Sequence, residues 1–273
     1  MQECMEPIIR PMNNDDWTEF EKLDEELFPI DRVREESFNT LVDRGAFFAL
    51  ESEGRMVGML SLARFGEDDG HLGRIGVSKS MQNRGLGAKL MEYAMDWFRN
   101  ESMSNAILYT QDHNRHAQHL YKKFGFKIVG TTWHYFVPFR TIDSSGKYLC
   151  ERIQDGEIEA VGEKYGEYLP AAQIRRFLES DDFHVLVLKN YEKDIVGVCR
   201  FTPAFPGCFP FQIDGIDCFD DFISCLKLYS LPEFEYIRLT FTDNEDLAVL
   251  CDERGYELHH KLYRMKAEVS PKR

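Results

Sequence analysis

Gln82-Asn83-Arg84-Gly85-Leu86-Gly87-Ala88 is the stretch around which the fold is predicted. It follows a short apolar run at 72–77, typical of a buried strand, and precedes residues 89–99, whose apolar positions have helical spacing. A strand, a glycine-bearing loop and a helix place unpaired backbone N–H groups and the positive end of a helix dipole at the loop. The glycines let backbone approach an anion closely, and Arg84 adds a cation. The stretch therefore predicts a phosphate-binding loop.

Two familiar phosphate motifs do not fit this loop. No Gly-Lys-Ser/Thr follows it, which excludes a P-loop, and the third glycine of the dinucleotide fingerprint is missing. Gly-x-Gly before a helix is common, so the loop needs support from the elements around it. The predicted order is β-α-α-β-β-β-α-β-α-β-β, an α/β fold with a mixed sheet flanked by helices. Its strands are predicted at 7–11, 46–50, 56–65, 72–77, 106–110, 126–129 and 133–137, and its helices at 14–28, 35–43, 89–99 and 114–124, the last ending at Gly125.

A second motif lies about 30 residues after the loop. It reads Asn114-x-x-Ala117-x-x-Leu120-Tyr121-x-x-x-Gly125-Phe126. Together with Gln-x-x-Gly-x-Gly, it resembles the GNAT N-acetyltransferases over residues 7 to about 140. The resemblance implies a catalytic domain at 1–140 that binds acetyl-CoA as co-substrate, without a metal. The residues it implies for cofactor binding are Ile75, Gly76 and Val77 (pantetheine), Gln82, Asn83, Arg84, Gly85, Leu86, Gly87 and Ala88 (pyrophosphate), and Asn114, Ala117 and Tyr121.

Two catalytic roles follow from the same resemblance. Tyr121 stands at the position that often protonates the departing thiolate; the alternative is a tyrosine that belongs to the core. His71, at the start of the strand, is the candidate general base, because imidazole titrates near the working pH. The acidic turn at 67–69 offers rival bases. The sequence His-x-x-His-x-x-His at 113–119 could suggest a metal site, but its spacing and the Asn114 motif favour the helix of the acetyltransferase pattern.

The second half of the chain repeats part of the first. Asn244-x-x-Leu247-x-x-Leu250-Cys251-x-x-x-Gly255-Tyr256 has the spacing of the Asn114 motif, and residues 194–198 echo 55–59. The prediction is a tandem pair of GNAT-like domains, 1–140 and 141–273. The corresponding loop at 214–221 has one glycine and four aspartates, which would repel a pyrophosphate. The second domain is therefore expected to be degenerate and not to bind acetyl-CoA. The alternative is a coincidence of short motifs.

Composition limits the partners and the compartment. The chain has 273 residues and a net charge of −14, which disfavours nucleic acid, and no apolar run long enough to span a membrane. The N-terminus has no apolar stretch typical of a signal peptide. Seven scattered cysteines without Cys-x-x-Cys indicate reduced thiols in a cytoplasmic protein. The protein is expected to be a monomer or a homodimer.

The sequence thus predicts an N-acetyltransferase that moves the acetyl group of acetyl-CoA to a primary amine of a small molecule, by direct attack in a ternary complex. The alternative is a non-catalytic acyl-CoA-binding sensor or scaffold. The acceptor site is expected near 27–34 and 133–140, and the sequence does not identify the amine, because fold does not specify substrate.

Overall fold

Two units of chain make up the fold, in a computed structural model that describes residues 6–45 and 47–269. Of the described residues, the first unit contains those up to 128 and those from 265 to 269, and the second contains residues 129–264. The predicted boundary at 140 therefore lies within the second unit. The difference arises at one strand: the sequence predicts separate strands at 126–129 and 133–137, whereas a single strand, Lys127–Pro138, runs out of the first unit and into the second.

The first unit has the element order predicted from the sequence. Its helices are α1 (Trp17–Leu27), α2 (Glu35–Asp43), α3 (Leu86–Asn100) and α4 (Arg115–Lys123). Its strands are β1 (Ile8–Pro11), β2 (Phe47–Ser52), β3 (Arg55–Phe65), β4 (Asp69–Val77) and β5 (Asn105–Gln111), and they neighbour one another in that order. β1 to β4 are antiparallel, and β4 runs parallel to β5. Residue 46, part of the predicted 46–50 strand, lies outside the described residues.

The second unit follows the same plan. Its helices are α5 (Ile158–Tyr165), α6 (Ala171–Leu178), α7 (Phe219–Tyr229) and α8 (Glu245–Glu253). β6 (Lys127–Pro138) is followed by β7 (Leu149–Arg152), β8 (His184–Lys189), β9 (Ile195–Thr202), β10 (Gly207–Ile213) and β11 (Tyr236–Thr242), and the strand order is β6-β11-β10-β9-β8-β7. β12 (Glu257–Glu268) begins in this unit, and its residues from Met265 belong to the first.

Helix starts show how closely the two units correspond. In each unit a capping box opens the first helix, from Asn13 to Asp16 and from Gln154 to Glu157. Asn114 accepts a hydrogen bond from the Ala117 N–H at the start of α4, and Asn244 does the same with Leu247 at the start of α8. The predicted repeat of the asparagine motif is therefore present as a repeated N-cap.

Apolar burial organises each unit around its sheet. α1 and α2 pack on one face of the first sheet through Phe20, Phe38 and Phe47, which are almost completely buried. α3 buries a continuous stripe that includes Leu90, Ala94 and Phe98. In the second unit, Phe211, Phe219 and Phe222 form the corresponding contact between β10 and α7. None of the helices in the described part of the chain is long and apolar enough to cross a membrane.

One pair of cysteines differs from the sequence-based expectation. Cys150 in β7 and Cys225 in α7 form a disulfide, so the prediction that all cysteines are reduced is wrong for these two. Their sequence separation of 75 residues gave no signal, because only the fold brings β7 next to α7. Cys199, Cys208, Cys218 and Cys251 are free and buried, as expected, and Cys4 lies outside the described residues.

Candidate active site

The central feature of the first unit is a divergence between two parallel strands. β4 pairs with β5 only from Asp69 to Leu72, opposite Asn105 to Leu108. Beyond Leu72, β4 keeps its antiparallel pairing with β3, after a bulge at which the Arg74 N–H donates to the Ser61 hydroxyl. The backbone from Arg74 to Val77 therefore lines a gap in the sheet on its β5 side. An exposed strand edge of this kind can pair with an extended ligand.

A cavity of about 400 Å³ occupies this region. Its wall includes many residues of the predicted cofactor set: Ile75, Gly76, Val77, Gln82, Asn83, Leu86, Gly87, Asn114, Ala117 and Tyr121. Arg84, Gly85 and Ala88 do not line it, and neither does His71. The strand end, the glycine loop and α4 are thus brought together around one space.

The loop geometry explains its glycines. Gly85 has φ +81° and immediately precedes α3, so a residue with a Cβ would be strained there. A Cβ on Gly87 would lie 3.3 Å from Leu120 Cδ2, on the cavity side of the helix start. The Gln82 side-chain amide donates to the Val77 carbonyl at 3.0 Å, which ties the loop to the strand end. The Arg84 guanidinium is exposed and donates to the Ser80 carbonyl.

Tyr121 lies on α4 and is 6% exposed. Burial raises the pKa of its phenol to about 12, so the proton stays on the oxygen throughout the neutral range. Its ring packs near Phe126, with centroids 6.2 Å apart. A buried, protonated phenol in the wall of a cavity can donate a hydrogen bond to a ligand.

His71 is partly buried on β4, in the segment that still pairs with β5. Burial lowers its pKa to about 4, so its imidazole is neutral at pH 7. The ring lies 6.0 Å from that of Tyr109. Among the rival acids, Asp69 already accepts a hydrogen bond from the Asn105 amide and pairs with Lys266. The imidazole is available to accept a proton but is a weak base.

Some residues of the cavity wall were not predicted. Glu26 lines it and accepts a hydrogen bond from the Lys79 N–H. Of the three clustered histidines, His116 also lines it, whereas His113 pairs with Asp112. Leu27 and Phe28, inside the segment expected to form the acceptor site, lie on the same wall. A Cβ on Gly76 would lie 2.6 Å from Leu27 Cδ1, which explains the glycine.

The family model "Acetyltransferase (GNAT) family" matches residues 9–126. The chain contains a GNAT domain. This match covers the diverging strands, the glycine loop and α4. Among curated proteins, none matches the chain significantly.

Solved structures extend the likeness to both units. A putative acetyltransferase from Pyrococcus horikoshii is 16% identical with a TM-score of 0.72, covering 100% of this chain and 94% of its own. A GCN5-related N-acetyltransferase from Sphaerobacter thermophilus is 13% identical with a TM-score of 0.71, covering 97% and 96%. A tandem GNAT protein from the clavulanic acid biosynthesis pathway is 14% identical with a TM-score of 0.66, covering 98% and 100%. The chain therefore has a tandem GNAT fold.

The second GNAT-like unit differs from the first at one strand position and in the loop that correspond to parts of the cavity wall. Strand pairing aligns Gly76, opposite Met59, with Gln212, opposite Val198, so a buried side chain replaces a glycine. The connection from β10 to α7 has five residues, 214–218, against eight, 78–85, in the first unit. Each of its four predicted acidic residues has a partner in the same unit: Asp214 with Lys164 and Tyr165, Asp217 with Tyr148, Asp220 with Arg254, and Asp221 with Ser144, Ser145 and the Gly146 N–H.

A hydrogen bond in the second unit joins two residues at or beside positions that correspond to the first unit's cavity wall. Counted from the capping boxes, Tyr168 occupies the position of Leu27, and Asp243 directly precedes the repeated asparagine at 244. The Tyr168 hydroxyl donates to the Asp243 carboxylate at 2.9 Å. In the first unit, Leu27 and Asn114 both line the cavity.

Proposed function

We propose that the first GNAT domain transfers the acetyl group of acetyl-CoA to a primary amine of a small molecule, by direct attack within a ternary complex. The observation that carries this proposal is the gap between β4 and β5, which opens on a cavity bounded by the glycine loop and Tyr121. The match of residues 9–126 to the GNAT acetyltransferase model supports acetyl-CoA as the donor. The backbone of residues 75–77 would pair with the pantetheine, and the N–H groups at the start of α3 would bind the pyrophosphate.

Asn114 would contribute through its amide nitrogen, because its side-chain oxygen already accepts the Ala117 N–H. Ala117 lines the cavity with a small side chain and leaves room for the donor. Arg84, which is exposed at the loop, would bind phosphate oxygens from the solvent side. Gly85 and Ala88 do not line the cavity, so they would act by setting the backbone conformation at the start of α3.

In the reaction, the neutral amine attacks the thioester carbonyl, a C–N bond forms, and the C–S bond breaks. Tyr121 would stabilise the departing thiolate. Since the phenol pKa of about 12 lies above that of an ordinary thiol, near 8.5, we infer that it acts mainly by donating a hydrogen bond as charge develops on sulfur. His71 remains the proposed proton acceptor for the amine; it would reach the amine through water, because it does not line the cavity.

The proposal also assigns acetyl-CoA binding to the first domain alone. It is supported by the buried Gln212, the shorter loop and the Tyr168–Asp243 bond in the second. The second domain would then serve as a packing or acceptor-shaping partner. The alternative, a non-catalytic acyl-CoA sensor, would use the same cavity without turnover.

Turnover on a panel of amines tests the proposal. Wild type should release CoA only when an amine is present, and Tyr121→Phe should lower kcat at least tenfold while acetyl-CoA still binds. Tyr109→Phe is the matched control. Binding without turnover on any amine would favour the sensor. Full activity in both Tyr121→Phe and His71→Ala would contradict the assigned roles.

A further inference from the structure

Arg74 occupies an unusual place on β4. It lies in the bulge where β4 leaves β5, immediately before Ile75, which lines the cavity. The Ser61 hydroxyl accepts the Arg74 N–H at 2.9 Å, which fixes the backbone there. Its side chain extends toward α1 and is 19% exposed, so it is neither a surface residue nor fully enclosed.

The ion pair of Arg74 uses little of its hydrogen-bonding capacity. Its Nη1 donates to Asp24 Oδ1 at 2.7 Å, and the other oxygen of Asp24 accepts the Val33 N–H at 2.8 Å. Asp24 is 1% exposed, and each of its carboxylate oxygens accepts one of these hydrogen bonds. A guanidinium has five N–H donors, and this single contact is not the two-bond fork that a carboxylate can form. The remaining donors are available to a ligand.

Electrostatics indicate that the cation is incompletely balanced. Burial lowers the pKa of Arg74, and the carboxylates of Asp24 and Asp31 oppose that shift without cancelling it. A further carboxylate at the guanidinium would compensate for the solvent that Arg74 has lost.

Phe28 connects Arg74 to the cavity. The Arg74 Cζ lies 4.5 Å from the centroid of the Phe28 ring, and Phe28 belongs to the cavity wall. The guanidinium does not itself line the cavity, but it lies against a residue of the cavity wall. Attraction between the cation and the face of the ring favours this position of the guanidinium.

We propose that Arg74 binds a carboxylate of the acceptor, so that the acceptor class is an amine that also carries a carboxylate, such as a free amino acid. This inference rests on the proposed acetyltransferase function. The competing explanation is that Arg74 only tethers the segment after α1 to β4 through Asp24. That explanation predicts an equal loss for all amines when Arg74 is replaced.

Matched acceptor pairs distinguish these explanations. Lysine and cadaverine, ornithine and putrescine, and phenylalanine and phenethylamine each differ by one carboxylate. Wild type should have a kcat/KM at least tenfold higher for the carboxylated member of the preferred pair. Arg74→Gln should lose at least tenfold on that member and less than threefold on its partner, with acetyl-CoA affinity unchanged by calorimetry. Arg64→Gln, an exposed arginine on β3, is the control expected to behave as wild type.

Arg74→Lys serves as a second variant. It keeps the positive charge and the pair with Asp24, but an ammonium group cannot donate two parallel hydrogen bonds to the carboxylate of an acceptor. It should lose most of the preference for the carboxylated amine. Acetylation without such a preference in wild type, or an equal loss on both members in either variant, would overturn the assignment of Arg74. Failure of every amine to be acetylated would instead overturn the proposed function, and the assignment with it.

Discussion

Burial raises the pKa of one of the two residues proposed for catalysis and lowers the pKa of the other. It keeps the phenol of Tyr121 protonated, with a pKa of about 12, and the imidazole of His71 neutral, with a pKa of about 4. The sequence identified both residue types but not these environments, because burial depends on how the strands and α4 pack. It also gave no reason to single out Arg74, whose interest comes from Asp24 and Phe28 in the folded domain.

The low pKa of His71 makes stability depend on pH. His71 binds a proton near pH 6.5 in the unfolded state and near pH 4 in the folded state. The contribution of the neutral His71 to the free energy of unfolding is therefore complete above pH 6.5 and is lost as the pH falls from 6.5 to 4. The loss should reach about 3 kcal/mol. We expect the difference in unfolding free energy between wild type and His71→Gln to shrink by that amount between pH 7 and 4, as measured by urea unfolding.

His116→Gln, at an exposed position on α4, is measured in parallel as the control for replacing a histidine by glutamine. A His71→Gln difference that is constant from pH 7 to 4 would show that the imidazole titrates normally in the folded state.

At the scale of elements, the loop and the two helices that flank the cavity were predictable. A glycine-bearing loop between a strand and a helix, and an asparagine motif at a fixed distance, are local patterns. The structure places α3 at Leu86–Asn100 and α4 at Arg115–Lys123, close to the predicted bounds. The divergence of β4 from β5 was not predicted, because strand pairing is not visible in a local pattern; the family resemblance implied only that residues 75–77 bind the pantetheine.

Gly87→Glu tests the loop as an anion site. The new carboxylate would face the cavity from the start of α3 and repel a pyrophosphate. Calorimetry should give one acetyl-CoA per wild-type chain and no binding to the variant. Gly87→Ala, whose Cβ meets only Leu120 Cδ2 at 3.3 Å, should bind with a loss of less than tenfold.

Two binding events in wild type, of which one survives in Gly87→Glu, would mean that the second unit binds acetyl-CoA despite Gln212 and its shorter loop. A single event that survives in Gly87→Glu would contradict the loop as the pyrophosphate site. The same titration therefore tests the division of labour between the units.

On the scale of the whole molecule, the tandem fold was predictable from the sequence. The single strand β6, which the sequence does not predict, was not. The repeat of the asparagine motif at 114 and 244 revealed two copies of one pattern. The pairing of β6 with β11 is a contact across about 100 residues of sequence. The sequence instead divided β6 into two strands, because Gly130 and two threonines interrupt its apolar pattern.

The Cys150–Cys225 disulfide should stabilise the second unit, because it closes a loop of 75 residues in the unfolded chain. The expected contribution is about 4 kcal/mol. Reducing agent should lower the denaturant midpoint of wild type and leave that of Cys225→Ser unchanged. Cys251→Ser, which removes a free thiol, should remain sensitive to reduction. Seven titratable thiols in the denatured protein without reductant would show that the bond does not form.

The division of β12 has a consequence for synthesis. Met265, Ala267 and Val269 are buried, and the Val269 N–H donates to the Ser104 carbonyl within the first unit. The domain proposed to carry the chemistry therefore includes residues that the ribosome adds more than 130 positions after α4. During translation, this domain cannot complete its fold until the whole second unit has been synthesised. A fragment ending at residue 140 would expose the surface that these residues cover, which makes it a poor substitute for the intact protein.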